Sequence, residues 1–209
     1  MRDLYPQLER SIVCEDRRSP ARHECTLMAG FLRREKRTVY ENPWLRFEAH
    51  DIVHPNGYPG EHGLIVVPTA SAVVALDGAD VLLARQRRFA IDKVVLEIVK
   101  GGASVGEGER ACAERELREE LGIVAAQWDA LGIGYEIPSI MQTPVALFLA
   151  RNLRFVGSNP EAVESIECVR LPFTQALEMA ASGEIDDALT GLALLRTWRV
   201  LGQTHAPPR

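Results

Sequence analysis

The sequence is poor in most of what would mark a secreted, membrane-spanning or polyanion-coating chain. Its 209 residues include only four cysteines, Cys14, Cys25, Cys112 and Cys168, too dispersed to form a disulfide framework. Cys14, His23 and Cys25 lie close together in the chain, but their spacing matches no standard zinc site. The opening stretch MRDLYPQLERSIVCEDRRSP lacks an apolar signal region, and no run of 18 apolar residues occurs anywhere. The expectation is a cytoplasmic protein with no membrane partner. Positive charge is not in excess either: the formal net charge is −5. That balance argues against nucleic acid as a partner, but it is compatible with a small anionic substrate reached through a metal. There is no internal repeat. A hydrophobic content of 46% with 25% charged residues describes an ordinary globular chain, long enough for one buried core.

The most informative stretch runs from Gly101 to Ile123, GGASVGEGERACAERELREELGI. It begins with glycines and ends in a run that has helical spacing. At about 100° per residue, Glu116, Glu119 and Glu120 fall within one arc, so three carboxylates face the same way. Ala113, Leu117 and Leu121 share the neighbouring arc and can seal the helix onto a core. Like charges packed beside a buried stripe raise one another's pKa unless a cation intervenes. Oxygen-only ligands favour a hard divalent ion, Mg²⁺ with Mn²⁺ as the alternative, and Mg²⁺ also binds substrate phosphates. Arg115 is suited to hold one carboxylate by a bidentate pair. Gly122 suits the left-handed residue that closes a helix, and Gly101, Gly102, Gly106 and Gly108 allow the loop before it to bend tightly.

These residues resemble the Nudix box at every specified position: Gly101, Glu107, Arg115, Glu116, Leu117, Glu119, Glu120, Gly122 and Ile123. The alternative reading, a solvated acidic helix face, does not explain nine matched positions within 23 residues.

Elsewhere the chain reads as strands followed by helices. Residues 1–37 are charged and weakly patterned, expected as a short helix or loose tail, and the basic cluster Arg33, Arg34, Lys36 and Arg37 reads as a solvated surface. From Thr38 the pattern alternates, and Pro55-Asn56-Gly57 marks a turn between strands at roughly 44–54 and 62–68. Strands at 71–76 and 81–86 flank Asp77-Gly78-Ala79-Asp80, and 94–99 is an apolar strand leading into the glycines. Further strands are expected at 124–135, 144–151 and 164–171. Two helices follow: FTQALEMAASG, ending on Gly183, and a second capped by Asp186 or Asp187. This order predicts an α+β domain with a mixed sheet between helices. The Nudix resemblance narrows it to an α/β/α sandwich over 68–201. An N-terminal β-hairpin region at 38–67 stands apart from it, and 202–209 form a tail expected to be disordered.

Resemblance to the ADP-ribose pyrophosphatase and ADP compounds hydrolase group extends over about 38–201. It rests on VYENPW, HPNG, LLARQRRFA, VLEIVKGG, YEIPS and GEIDDALTGLALLRTW. Pro138, fifteen residues after Ile123, corresponds to a proline that accompanies ADP-ribose hydrolysis, whereas Tyr135 is near a tyrosine marking dinucleoside polyphosphate hydrolases. The resemblance implies that Arg88 contacts the diphosphate and that Glu97 helps to set the site. It also implies that Tyr40 or Trp44 stacks on adenine across a homodimer, and that Glu116, Glu119, Glu120 and Glu164 hold metal. The backbone carbonyl of Lys100 joins that shell, although the group usually has a small residue there. A late-loop glutamate, Glu161 or Glu164, is implied as general base. The implied activity is metal-dependent cleavage of the pyrophosphate bond of ADP-ribose, NADH or diadenosine polyphosphates. The alternatives are a nucleotide-sugar pyrophosphatase of the GDP-mannose type and a non-catalytic ligand-sensing module; the latter typically loses box glutamates that this chain keeps.

Overall fold

Residues 30–157 and 166–203 are described by the structure, a computed structural model. The strands are β1 (Leu32–Glu41), β2 (Arg46–Val53), β3 (Pro59–Val66), β4 (Ala70–Asp77), β5 (Asp80–Arg88), β6 (Lys93–Glu97) and β7 (Val99–Gly102). After helix α1 (Glu109–Leu121) come β8 (Ile123–Gly134), β9 (Val145–Phe155), β10 (Glu167–Pro172), α2 (Phe173–Ser182) and α3 (Ala188–Gln203). A single 3-10 turn, Phe89–Ile91, joins β5 to β6. The chain divides into one unit of Met1–Lys36 with His50–His62 and another of Arg37–Ala49 with Gly63–Arg209. Among the described residues no helix is long and apolar enough to cross a membrane.

In the first unit the expected turn forms: the His54 amide donates to Tyr58 O and the Gly57 amide to His54 O, both at 2.8 Å. β1, β2 and β3 make a three-stranded sheet in that order, and each strand has residues in both units. β1 begins at Leu32, inside the segment expected to be a helix or tail. Its alternation of Arg, Glu and Lys carries no apolar face, so the hydrophobic pattern offered no strand signal.

The second unit is built on β4. Ala72, Val74 and Leu76 enter one core, with Val81 and Leu83 of β5, while Val73, Ala75, Leu82 and Ala84 enter another. This is the period of two that a strand buried on both faces imposes. Among the described residues the sheet order is β10-β5-β4-β9-β8, with β6 on β5 and β7 on β4. β9 runs parallel to β4 and the remaining neighbours are antiparallel, so the sheet is mixed, as expected. Ala113, Leu117 and Leu121 of α1 cover one face, and Phe173, Ala176, Leu189, Ala193 and Leu194 of α2 and α3 cover the other. Full burial of a leucine such as Leu117 or Leu194 contributes about 2 kcal/mol each, so both layers are held by their apolar stripes.

The strand expected at 94–99 is interrupted. β6 pairs with β5 up to Glu97, and β7 pairs with β4 from Val99. Ile98, between them, turns its amide to Thr190 Oγ1 at 3.0 Å instead. The apolar run gave no hint of this change of partner, because buried apolar residues continue across it, Val95 on one side and Ile98 and Val99 on the other.

Candidate active site

Helix α1 ends where Gly122 adopts the left-handed conformation (φ 66°, ψ 33°) and its amide bonds Arg118 O at 3.0 Å. The loop ahead of it is closed by Glu107, whose amide donates to Ser104 O at 3.0 Å and whose Oε2 accepts the Ser104 amide at 2.9 Å. That carboxylate then takes the Nε and Nη2 groups of Arg115, both at 3.0 Å. Arg115 Nη1 donates further to Glu116 Oε1 at 2.7 Å and Glu119 Oε2 at 2.8 Å, and Nη2 donates to Gly102 O at 2.8 Å. One guanidinium therefore organises three carboxylates, where the sequence suggested one bidentate pair. Arg115 and the Ser104 amide hold Glu107 below the usual carboxylate range. Burial pushes Glu116 above it, despite the opposing pull of Arg115.

Gly101 has a steric reason for lacking a side chain. A Cβ there would lie 2.1 Å from Glu116 Cδ, so the carboxylate occupies the space that any other residue would need.

Glu116, Glu119 and Glu120 line one cavity of about 1010 Å³, together with Arg88, Glu97, Lys100 and Trp44. All of these belong to the second unit. Tyr40 does not line it; its hydroxyl accepts from Asn42 Nδ2 at 3.3 Å. Neither Tyr135 nor Pro138 lines the cavity, whereas Glu136 and Met141 on either side of that turn do. Glu161 and Glu164 lie outside the described residues, as do Cys14, His23 and Cys25.

A second cluster forms another part of the wall. Glu97 is 1% exposed and divides its oxygens, Oε1 accepting from Arg88 Nε at 2.7 Å and Oε2 lying 3.0 Å from Lys100 Nζ. Lys100 also bonds Asp187 Oδ1 at 2.6 Å. The other oxygen of Asp187 accepts the Thr190 amide at 2.9 Å and the Thr190 hydroxyl at 2.6 Å, so Asp187 is the cap of α3. Burial alone would lower the Lys100 pKa, but Asp187 and Glu97 lift it above the usual lysine value. Burial would raise Asp187, but Lys100 and Thr190 bring it below. The sequence marked Asp187 only as a cap and did not mark Glu136; the GEIDDAL and YEIPS segments were the available signals.

The donors suit a hard divalent ion by their chemistry: three carboxylates on one helical arc, facing one cavity, with more acid than Arg115 offsets. They are not drawn into a ligand set here. Among the described residues, no three His, Cys, Asp or Glu side chains are gathered for a metal, and Glu116 and Glu119 are turned onto Arg115.

The sequence profile of the NUDIX domain matches residues 67–188. The chain is 27% identical over 162 residues to the ADP-ribose pyrophosphatase of Bacillus subtilis, covering 76% of this chain and 88% of that protein. It is 26% identical over 178 residues to a CMP-5'-(N-acetyl-N-hydroxy-3-aminopropyl)phosphonate hydrolase of Streptomyces rubellomurinus, covering 85% of this chain and 86% of that protein. A crystal structure described as ADP compounds hydrolase superposes with a TM-score of 0.76 at 21% identity, over 86% of this chain and 98% of that one. At that identity the likeness concerns the fold.

Proposed function

Because the chain belongs to the NUDIX domain family and is a Nudix pyrophosphohydrolase, we propose that it hydrolyses the pyrophosphate bond of ADP-ribose, releasing AMP and ribose 5-phosphate. NADH and diadenosine polyphosphates are further substrates of the same class. The observation that carries this reading is the meeting of Glu116, Glu119, Glu120, Arg88 and Trp44 around one cavity, together with a relative that is an ADP-ribose pyrophosphatase.

Glu116, Glu119 and Glu120, with the Lys100 carbonyl and Glu164, would hold magnesium, or manganese in its place, which would supply charge neutralisation at the diphosphate. The chain's own groups do the rest. Arg88, anchored through Nε to Glu97, presents a planar cation suited to a phosphate edge. Arg115 keeps Glu116 and Glu119 on the cavity side of α1. Trp44, 75% exposed, is held by a turn in which Asn42 Oδ1 accepts the Trp44 and Leu45 amides. It offers a flat apolar surface to the adenine. Glu161 or Glu164 removes the proton of the attacking water. We further propose a homodimer: β1 is exposed along its whole length, Tyr40 included, which is the surface a second copy would cover to bring Tyr40 to the adenine.

The test is release of AMP and ribose 5-phosphate with Mg²⁺, with NADH, diadenosine triphosphate and GDP-mannose in parallel. Turnover of ADP-ribose above GDP-mannose is expected. No AMP from any adenylated substrate would overturn the assignment.

A further inference from the structure

Lys100 stands where three structural features meet. At Ile98 the chain passes from pairing with β5 to pairing with β4, and the amide left over bonds Thr190 of α3. Thr190 in turn donates its hydroxyl to Asp187, and Asp187 grips Lys100. The first turn of α3 is thereby a fixed reference point for the strand break. From it the Lys100 ammonium reaches back to Glu97, whose other oxygen holds Arg88.

We propose that Lys100 is a positioning residue for Arg88: anchored to Asp187, its ammonium fixes the plane of the Glu97 carboxylate, and Glu97 sets the guanidinium that receives a nucleoside diphosphate. The proposal rests on the diphosphate-binding role given to Arg88 above. A carboxylate whose terminal torsion is broad and which is gripped at one oxygen can swing about that contact; gripped at both, it has one orientation. Direct binding of phosphate by Lys100 is the competing role. It is disfavoured because two carboxylates lie within 3.0 Å of Nζ, and Glu136 stands at 3.8 Å. Its charge is already offset.

A double-mutant cycle on the full chain decides between them. The affinity for ADP, read by calorimetry, and KM for ADP-ribose are measured for the wild type, Lys100→Met, Arg88→Met and the double variant. Lys100→Met should weaken ADP binding and raise KM about tenfold, the scale of a lost supporting contact, with a smaller change in kcat. In the Arg88→Met background it should add nothing, since residues acting through one another are non-additive. Lys100→Arg should restore most of the loss. If Lys100→Met fails to fold, Asp187→Asn, which keeps the cap of α3, must show the same non-additivity. Losses that add, or no loss of affinity in a folded variant, overturn the proposal. Because ADP binding is read without turnover, failure of the hydrolytic reading shows separately, as bound ADP with no AMP released from any substrate.

Discussion

Two charged clusters line the same cavity, and they differ in how their acids are offset. Around Arg115, one guanidinium faces Glu107, Glu116 and Glu119, and Glu120 lines the cavity beside them. Around Lys100, two cations, Arg88 and Lys100, face two buried or half-buried carboxylates, Glu97 and Asp187, within 3.0 Å, and the more exposed Glu136 stands at 3.8 Å. The first cluster keeps an excess of negative charge and is suited to accept a cation. At hydrogen-bonding distance the second is balanced, and it serves to stay in place. An acid-rich site thus need not be uniform: one part is left unbalanced for chemistry while its neighbour is neutralised to hold the geometry.

The strongest contrast should come from removing one charge on each side. Glu120→Gln should lower the rate of AMP release by a factor on the order of 10²–10³, the scale for losing one preorganised electrostatic group. Its melting temperature should match or exceed that of the wild type, since like-charge repulsion is relieved. Asp187→Asn should do the reverse in stability: leaving part of a half-buried ionic network unsatisfied costs about 2 kcal/mol, seen as a lower denaturant midpoint. Wild-type turnover by Glu120→Gln, or an unshifted midpoint for Asp187→Asn, would erase the distinction between the clusters.

A smaller effect is expected at the seam. Gly101→Ala sets a methyl group against Glu116 and must displace that carboxylate. A shift of about 1 Å lowers kcat roughly 100-fold, while overpacking costs about 1–2 kcal/mol. Parallel measurements of kcat and thermal unfolding check both. An unchanged kcat would mean that the position of Glu116 is not critical.

The smallest effect concerns Glu107, which sits at the outer edge of the first cluster. Its folded-state pKa lies below the ordinary 4.5 because Arg115 and the Ser104 amide favour the charged form. Its stabilising contribution is therefore complete above that ordinary value and is lost as pH falls through the folded one. Glu107→Gln should melt below the wild type near neutrality, and the gap should close in acid. A gap independent of pH would assign the stabilisation to something other than the carboxylate's charge.

Legibility followed distance along the chain. The arc of Glu116, Glu119 and Glu120, the stripe of Ala113, Leu117 and Leu121 and the closing glycine at 122 could all be read locally, and α1 shows each of them. The turn near Gly57, the mixed sheet and the capped final helix were equally visible in periodicity and turn residues. The first part of β1, ahead of Thr38, was missed because its charged run has no apolar face. The break at Ile98 was missed because pairing with β5 and pairing with β4 both call for the same apolar residues. Lys100 stood out only as an unusual residue before the glycines, and its partner Asp187 is 87 positions away.

Residue order alone specifies the carboxylate-bearing helix and the chemistry it suits, because helical geometry turns spacing into direction without help from the rest of the molecule. Which acids are neutralised and which are left in excess depends on packing α3 against the strand break. Coulomb energies vary with separation and burial, and no pattern along the chain encodes either one.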